Sequence, residues 1–239
     1  MARDDAGSGA PVLLLHGFPT TRKLWAGVAS RLVEAGLRAI APDLVGYGDS
    51  PDAPEVGMES QAAWLVELLD ELRLEQVFLV AHDVGTAAAQ LLAIRAPRRV
   101  HRLVLMDGVH ETEWAMAAVE SIRSWDEGKA ARLQPVLARR LPAIRDLLGP
   151  YAGETGGRRL IHAARCLDPR QTAGATARLR QTGIPVRLLW GDADDFLPVG
   201  TVAEPLAKEL GAELRLLRGG HFVPHENPDA VARELLAYA

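Results

Sequence analysis

The sequence predicts an α/β fold with a mostly parallel sheet of about six strands, helices on both faces and a helical lid insertion. Short apolar runs alternate with amphipathic helical segments, which is the pattern of parallel β-α units. The alternation stops near residue 109 and resumes after residue 182. The composition is 48% hydrophobic and 24% charged, as expected for a globular chain with a buried core.

The first part of the chain predicts four strands and three helices. The helices carry apolar residues on one face; in the first, Leu24, Val28 and Leu32 recur at four-residue spacing and Gly36 ends it. In chain order, the predictions are strand 12–15, helix 22–34, strand 38–41, helix 59–72, strand 76–80, helix 85–96 and strand 103–106.

The last part of the chain resumes the same alternation. A strand is predicted over 186–190, a helix over 202–210 and a strand over 213–217. The final helix is predicted to begin at Asn227-Pro228-Asp229, which supplies an N-cap residue, a proline at the first helical position and an early acidic residue.

Residues 109–182 are helical in character and contain several prolines and glycines. They hold 12 basic and 8 acidic residues, a net charge of +4, whereas the remainder holds 15 basic and 23 acidic residues, a net charge of −8. We interpret 109–182 as a helical cap on a core domain formed by 1–108 and 183–239. The alternative is a few helices of the main domain that cover the sheet.

Composition also limits the function classes. The net charge of −4 and a pI near 6.0 argue against nucleic-acid binding, and a single cysteine, Cys166, excludes an intrachain disulfide. The polar N-terminus does not resemble a signal peptide, and no early apolar run is long enough to span a membrane. We therefore expect a cytoplasmic protein acting on a small, apolar molecule; a homodimer is left open.

The most informative motif is residues 77–87, where a strand meets an alanine-rich helix through a tight turn. The small residues Ala81 and Gly85 flank Asp83, as a strained strand-to-helix elbow requires. Such a turn presents its apex residue at the carboxyl edge of the sheet, where ligands bind. The alternative is that Asp83 only caps the following helix.

Two later loops supply partners for Asp83. His221 lies in Gly219-Gly220-His221-Phe222, and the loop after strand 186–190 contains Asp194. Their order along the chain, with the apex residue first, the acid second and the histidine last, is that of a hydrolase triad. Taken singly, each has a simpler interpretation, as a solvated loop histidine or an acid-rich turn.

With these motifs, the chain resembles the α/β-hydrolase-fold family over essentially its whole length. His16-Gly17-Phe18-Pro19 matches the HGxP oxyanion loop, and residues 43–50 resemble the loop after the next strand. The resemblance implies Asp83 as nucleophile, His221 as base, Asp194 as its acid, and the backbone N–H groups of Phe18 and Val84 as the oxyanion hole. Asp107, which ends strand 103–106, is an alternative acid.

The sequence departs from the family pattern in two places. Ala81 stands where glycine is usual in the elbow. The family usually has one or two strands before the HGxP strand, and here only about eleven residues precede Val12. We therefore expect a shortened first edge of the sheet.

An aspartate apex resembles the branch of epoxide hydrolases, haloalkane dehalogenases and haloacetate dehalogenases. A carboxylate attacks saturated carbon to give an alkyl ester, which activated water then hydrolyses. Haloalkane dehalogenases carry a tryptophan where this chain has Val84, and often Asn or Glu where it has Phe18. Haloacetate dehalogenases carry arginines at the positions of Val84 and Ala87. The resemblance therefore favours epoxides, with dehalogenation as the alternative.

Opening an epoxide also needs a proton donor. The resemblance suggests Tyr151, whose alternative role is packing within the lid. Trp114, Trp125, His110 and His162 are further candidates for the pocket, although core packing or solvent exposure is the favoured role of each. No metal and no cofactor are expected. A third alternative is use of the fold for ligand binding or non-hydrolytic catalysis.

Overall fold

A computed structural model describes all 239 residues and contains one seven-stranded sheet. The strands are β1 (Arg3–Ala6), β2 (Pro11–Leu15), β3 (Arg38–Pro42), β4 (Val77–His82), β5 (Val100–Met106), β6 (Val186–Gly191) and β7 (Glu213–Leu217). Their spatial order is β1-β3-β2-β4-β5-β6-β7. Only β1 is antiparallel to its neighbour, and the other six strands are parallel. The predicted α/β class and mostly parallel sheet are confirmed.

Strand β1 is a seventh strand that the sequence pattern misses. Its four residues, Arg3-Asp4-Asp5-Ala6, are largely exposed and three of them are charged, because an edge strand meets solvent and needs no apolar alternation. It pairs with β3 along the register from Arg3 opposite Pro42 to Ala6 opposite Ala39. Asp5 also forms an ion pair of 2.7 Å with Arg38 of β3.

Ten α-helices surround the sheet. They are α1 (Ala26–Glu34), α2 (Met58–Glu71), α3 (Gly85–Arg95), α4 (Met116–Arg123), α5 (Leu133–Arg140), α6 (Gly153–Cys166), α7 (Ala175–Gln181), α8 (Glu204–Leu210), α9 (Val223–Glu226) and α10 (Pro228–Tyr238). Short 3-10 helices span Arg22–Trp25, Pro97–Arg99, Glu127–Arg132, Pro142–Tyr151 and Pro169–Thr172, and a π-helical turn spans Val199–Ala203. None of these helices is both long and apolar enough to cross a membrane.

The central strands β2, β3 and β4 are buried on both faces, which explains their uninterrupted apolar sequences. Every residue of β4 is buried. Helix α1 packs against α10, and α2 packs against α3, which also contacts β4. Asn227 caps α10 by accepting a hydrogen bond from the N–H of Ala230 (3.4 Å), as the sequence predicts for the start of this helix.

Between β5 and β6 the chain forms α4 to α7 and no strand. Residues 109–182 are called the helical segment below; their separation as a cap domain stays a prediction. Arg159 of α6 ties the segment to the loop after β3, because its guanidinium donates to the carbonyl of Ser50 (2.7 Å). The segment thus lies beside the carboxyl edge of the sheet, where the predicted catalytic residues are.

Candidate active site

Asp83 occupies a strained turn between β4 and α3. Its φ of +53° lies in the left-handed region, which a side chain with a Cβ rarely adopts. The turn is held by Asp83 N–H donating to Met106 O (3.1 Å) and by Thr86 N–H donating to Asp83 O (2.9 Å). The N-cap of α3 is Val84, and no side chain caps this helix. The interpretation of Asp83 as a simple helix cap is therefore wrong.

Two glycines make room for the elbow. A Cβ on Gly17 would lie 2.3 Å from Asp83 Oδ1, and a Cβ on Gly85 would lie 2.3 Å from the carbonyl oxygen of His16. Both distances are shorter than any real contact, so larger residues would force the loop and the elbow apart. These glycines allow the HGxP loop to approach Asp83 closely.

Asp83, His221 and Asp194 form a continuous buried chain of polar contacts. Asp83 Oδ1 accepts a hydrogen bond of 2.7 Å from the backbone N–H of Phe18. Asp83 Oδ2 lies 3.4 Å from His221 Nε2, and His221 Nδ1 lies 2.9 Å from Asp194 Oδ2. Each of the three residues is at most 6% exposed. The structure therefore brings together the three residues that the sequence analysis groups as a triad.

The two carboxylates control the charge of the histidine. Burial alone would lower the pKa of His221, but its hydrogen bonds to Asp194 and Asp83 outweigh this and raise the pKa to about 10. The imidazole is therefore protonated near neutral pH in the resting site. Burial also disfavours the charged form of Asp194, yet its contacts with His221 lower the pKa of this carboxyl below its ordinary value.

Asp194 is oriented by its own loop. Its Oδ1 accepts hydrogen bonds from the N–H groups of Phe196 (2.8 Å) and Leu197 (3.0 Å), which leaves Oδ2 to hold His221. The alternative acid Asp107 is fully buried, and its Oδ1 accepts from the N–H of Gly191 (2.7 Å). Asp107 makes no hydrogen bond to His221, and burial raises its pKa well above the usual range. The geometry favours Asp194 as the partner of His221.

Two residues that the sequence analysis does not single out support the histidine. His82, directly before Asp83, has its Nε2 2.7 Å from the carbonyl oxygen of His221, and burial lowers the pKa of His82 to about 4. The ring of Phe196 lies 5.1 Å from that of His221, centre to centre. Both residues could have been found from the sequence, because His82 directly precedes Asp83 and Phe196 lies next to the Asp194 loop.

The HGxP loop is fixed by backbone contacts. His16 is fully buried, and its Nε2 accepts a hydrogen bond of 3.0 Å from the N–H of Leu44. This links the loop to the segment after β3. Of the two predicted oxyanion donors, the N–H of Phe18 contacts Asp83, whereas the N–H of Val84 makes no hydrogen bond to it.

A cavity of about 220 Å³ opens above the triad. It is smaller than the roughly 300–1,000 Å³ of drug-sized ligand sites. Most of its lining side chains are apolar, and the polar ones other than Asp83 and His221 are Ser121 and Arg140. The full lining is Phe18, Pro19, Asp83, Val84, Trp114, Ala115, Met116, Ala118, Val119, Ser121, Ile122, Leu137, Arg140, Leu141, Phe196, His221 and Phe222.

Tyr151 does not line this cavity, contrary to the role the resemblance suggests. Its side chain is completely buried, and its hydroxyl donates to the carbonyl oxygen of Thr20 (3.2 Å). Tyr151 thus joins the helical segment to the HGxP loop, which is the packing role given as the alternative. Among the side chains that line the cavity, His221 is the one in polar contact with Asp83, at 3.4 Å from Nε2 to Oδ2.

Of the four other residues predicted as pocket candidates, one lines the cavity and three lie outside it. Trp114 lines the cavity, but its indole N–H donates to Thr172 Oγ1 (2.9 Å) and so is not directed at a ligand. Trp125, His110 and His162 lie outside the lining. Their ring nitrogens contact Lys129 O, Glu209 Oε2 and Ala53 O, respectively.

Comparison with known proteins agrees with this architecture. A family model described as alpha/beta hydrolase fold matches residues 10–144. An uncharacterised protein of Mycobacterium tuberculosis is 30% identical over 93% of this chain and 73% of its own length. A catalytic elbow, an acid and a histidine on a mostly parallel sheet define a hydrolase of this class. The chain belongs to the α/β-hydrolase-fold family.

Named relatives represent several chemistries. A haloalkane dehalogenase of Mesorhizobium japonicum is 28% identical over 100% of this chain and 87% of its own length. An epoxide hydrolase of Siraitia grosvenorii is 46% identical, but over 41% of this chain and 32% of its own. Among solved structures, a haloalkane dehalogenase of Bradyrhizobium elkani has a TM-score of 0.82, 26% identity and coverage of 99% of this chain and 92% of that one. A thermophilic esterase of Thermogutta terrifontis has a TM-score of 0.81, 25% identity and the same coverage.

Proposed function

We propose that the protein hydrolyses epoxides through an alkyl ester on Asp83. The observation that carries the proposal is the position of this carboxylate at the floor of an apolar cavity, where each of its two oxygens has a polar contact of its own. One oxygen is held by the N–H of Phe18 at 2.7 Å, and the other lies 3.4 Å from His221 Nε2. A carboxylate so placed can attack saturated carbon, whereas its attack on a carbonyl would give a labile anhydride.

In the first step, Asp83 Oδ2 forms a bond to a ring carbon while the bond from that carbon to the ring oxygen breaks. The oxygen leaves as an alkoxide and takes a proton. The imidazolium of His221 supplies this proton from Nε2, because it lines the same cavity and its pKa is raised to about 10. His221 thereby performs the role for which the sequence analysis suggests Tyr151 as a candidate.

In the second step, the now neutral His221 takes a proton from a water molecule whose oxygen attacks the ester carbonyl carbon of Asp83. Esterification has removed the negative charge of Asp83, so the pKa of His221 is lower at this stage and the imidazole can act as a base. The N–H of Phe18, which already contacts Oδ1, stabilises the oxyanion at this position. The second donor that the resemblance implies is the N–H of Val84. Collapse releases the diol, whose leaving oxygen takes a proton from His221. The Asp83 carboxyl then passes its own proton to His221, which restores the carboxylate and the imidazolium.

The test is turnover of a panel of small apolar epoxides in ¹⁸O-labelled water, followed by mass spectrometry of the peptide that contains Asp83. Water attacks the carboxyl carbon in this mechanism, so repeated turnover must place label in the Asp83 carboxylate. Diol formation without label in this peptide would mean that water attacks the epoxide directly and would refute the ester.

Dehalogenation by the same ester is the second candidate, favoured by the likeness to haloalkane dehalogenases over the whole chain. The cavity wall argues against it, because Val84 has no donor side chain and the Trp114 N–H is bonded to Thr172. Halide release from haloalkanes or haloacetates, with epoxides untouched, would select this candidate. Ligand binding without catalysis is less favoured, because a non-catalytic site has no need of the triad contacts.

A further inference from the structure

We infer that Arg140 selects substrates that carry a carboxylate at the end opposite the epoxide. This inference rests on the proposed function for the end that faces Asp83. Arg140 is the last residue of α5 and is the only basic side chain, apart from His221, among the residues that line the cavity. Its guanidinium makes no ion pair and no hydrogen bond within the protein, in contrast to Arg159 of the same segment, which binds Asp52 and two carbonyl groups.

The face of α5 explains why this arginine reaches the cavity. Leu137 and Arg140 are three residues apart and therefore share one side of the helix, and both line the cavity. Arg139, one position earlier, is exposed and lies outside the lining. Arg140 is exposed as well, and of the two adjacent arginines it is the one that also lines the cavity.

Charge then fixes the orientation of an anionic substrate. With His221 protonated, the triad carries one net negative charge, from the carboxylates of Asp83 and Asp194 and the imidazolium. This floor repels a carboxylate, whereas the unpaired guanidinium of Arg140 attracts it and can bind both of its oxygens. The walls between are apolar. These features fit a small aliphatic carboxylate with its reactive carbon at the far end.

The experiment measures binding first and turnover second. Calorimetry compares hexanoate with hexanamide, which are unreactive, nearly equal in shape and different in charge, on the wild-type protein, Arg140→Gln and Arg139→Gln. Wild type and Arg139→Gln should bind hexanoate about tenfold more tightly than hexanamide, and Arg140→Gln should lose this preference. Equal binding of the two ligands by wild type, or an equal loss in both variants, would overturn the inference.

Turnover of the terminal epoxides of hexanoate and hexanamide separates this inference from the proposed function. The ratio of kcat/KM for acid over amide should exceed unity in wild type by about tenfold and fall in Arg140→Gln. Turnover of both epoxides at equal rates removes the role of Arg140 and leaves the ester mechanism. Preferential binding of hexanoate without turnover of either epoxide leaves the carboxylate site and removes the proposed reaction.

Discussion

The two walls of the cavity differ in how their polar groups are held. On the sheet side, Asp83 and His221 are buried, and each has defined partners. On the side of the helical segment, the wall is mainly apolar, and Arg140 has no partner within the protein. In the proposed function the sheet side determines which bond reacts, and in the further inference the helical segment determines which molecule enters.

The sheet side of the cavity, with Asp83 and His221, is called the reactive wall below. Replacing Asp83 by Ala tests this wall most directly and should have the largest effect. The variant lacks the attacking oxygen, so epoxide turnover should fall by on the order of 10³-fold or more. Steady-state kinetics measures this, with thermal unfolding as the check that the fold is retained. Residual activity within tenfold of wild type would mean that the carboxylate is not the nucleophile.

Substitution of the two buried acids, Asp194 and Asp107, tests which of them is the catalytic partner of His221. Asp194→Asn should lower kcat by on the order of 10³-fold, because the amide cannot stabilise the imidazolium as the carboxylate does. Asp107→Asn should change kcat only a few-fold, because burial disfavours the charged form of the Asp107 carboxyl and the amide oxygen can still accept from the N–H of Gly191. The opposite ranking of the two variants would make Asp107 the catalytic acid.

The pH dependence separates epoxide opening from halide displacement. The pKa of His221 in the free enzyme is about 10, so kcat/KM for an epoxide should fall above this pH, where the proton for the ring oxygen is lost. On the acid side, kcat should fall as His221 of the ester becomes protonated and can no longer activate water. A haloalkane needs no proton for its leaving group, so its profile should lack the alkaline fall.

Measuring kcat and kcat/KM against pH for an epoxide and a haloalkane, in overlapping buffers, would test the acid-side fall and the alkaline fall. An epoxide profile that stays flat above pH 10 would contradict the acid role of His221. The neighbouring His82 does not contribute to the alkaline fall, because its pKa is lowered to about 4 and it titrates at a much lower pH.

The reactive wall was predictable because each part of it is carried by a short local motif. The small residues beside Asp83 predict an elbow, and the positions of Asp194 and His221 after successive strands place both at one sheet edge. Their order along the chain therefore predicted the grouping of three residues that the structure brings into contact.

The opposite wall was not predictable for a physical reason. Whether Tyr151 or Arg140 faces the cavity depends on how helices of the segment pack, and short helices interrupted by Pro142 and Pro150 leave that packing undefined in the sequence. Strand β1 was missed for a different reason, since its polar residues follow from its position at the sheet edge. Side-chain direction in the helical segment is thus the part that needed coordinates.

The smallest expected effect concerns the two buried tyrosines near the HGxP loop. Tyr151→Phe removes the hydrogen bond to Thr20 O and should lower the free energy of unfolding by about 1 kcal/mol. Tyr47→Phe is the matched control, because the Tyr47 hydroxyl is equally buried but has no hydrogen-bond partner, so its loss should be neutral or slightly stabilising. Denaturant unfolding measures both.

Epoxide turnover should change only a few-fold in either tyrosine variant, because neither hydroxyl lines the cavity. A hundredfold loss of epoxide turnover in Tyr151→Phe alone, with a normal unfolding free energy, would mean that the helical segment moves to bring this hydroxyl to the ring oxygen. The proton would then come from the wall that otherwise selects the substrate, and the division of roles between the two walls would fail.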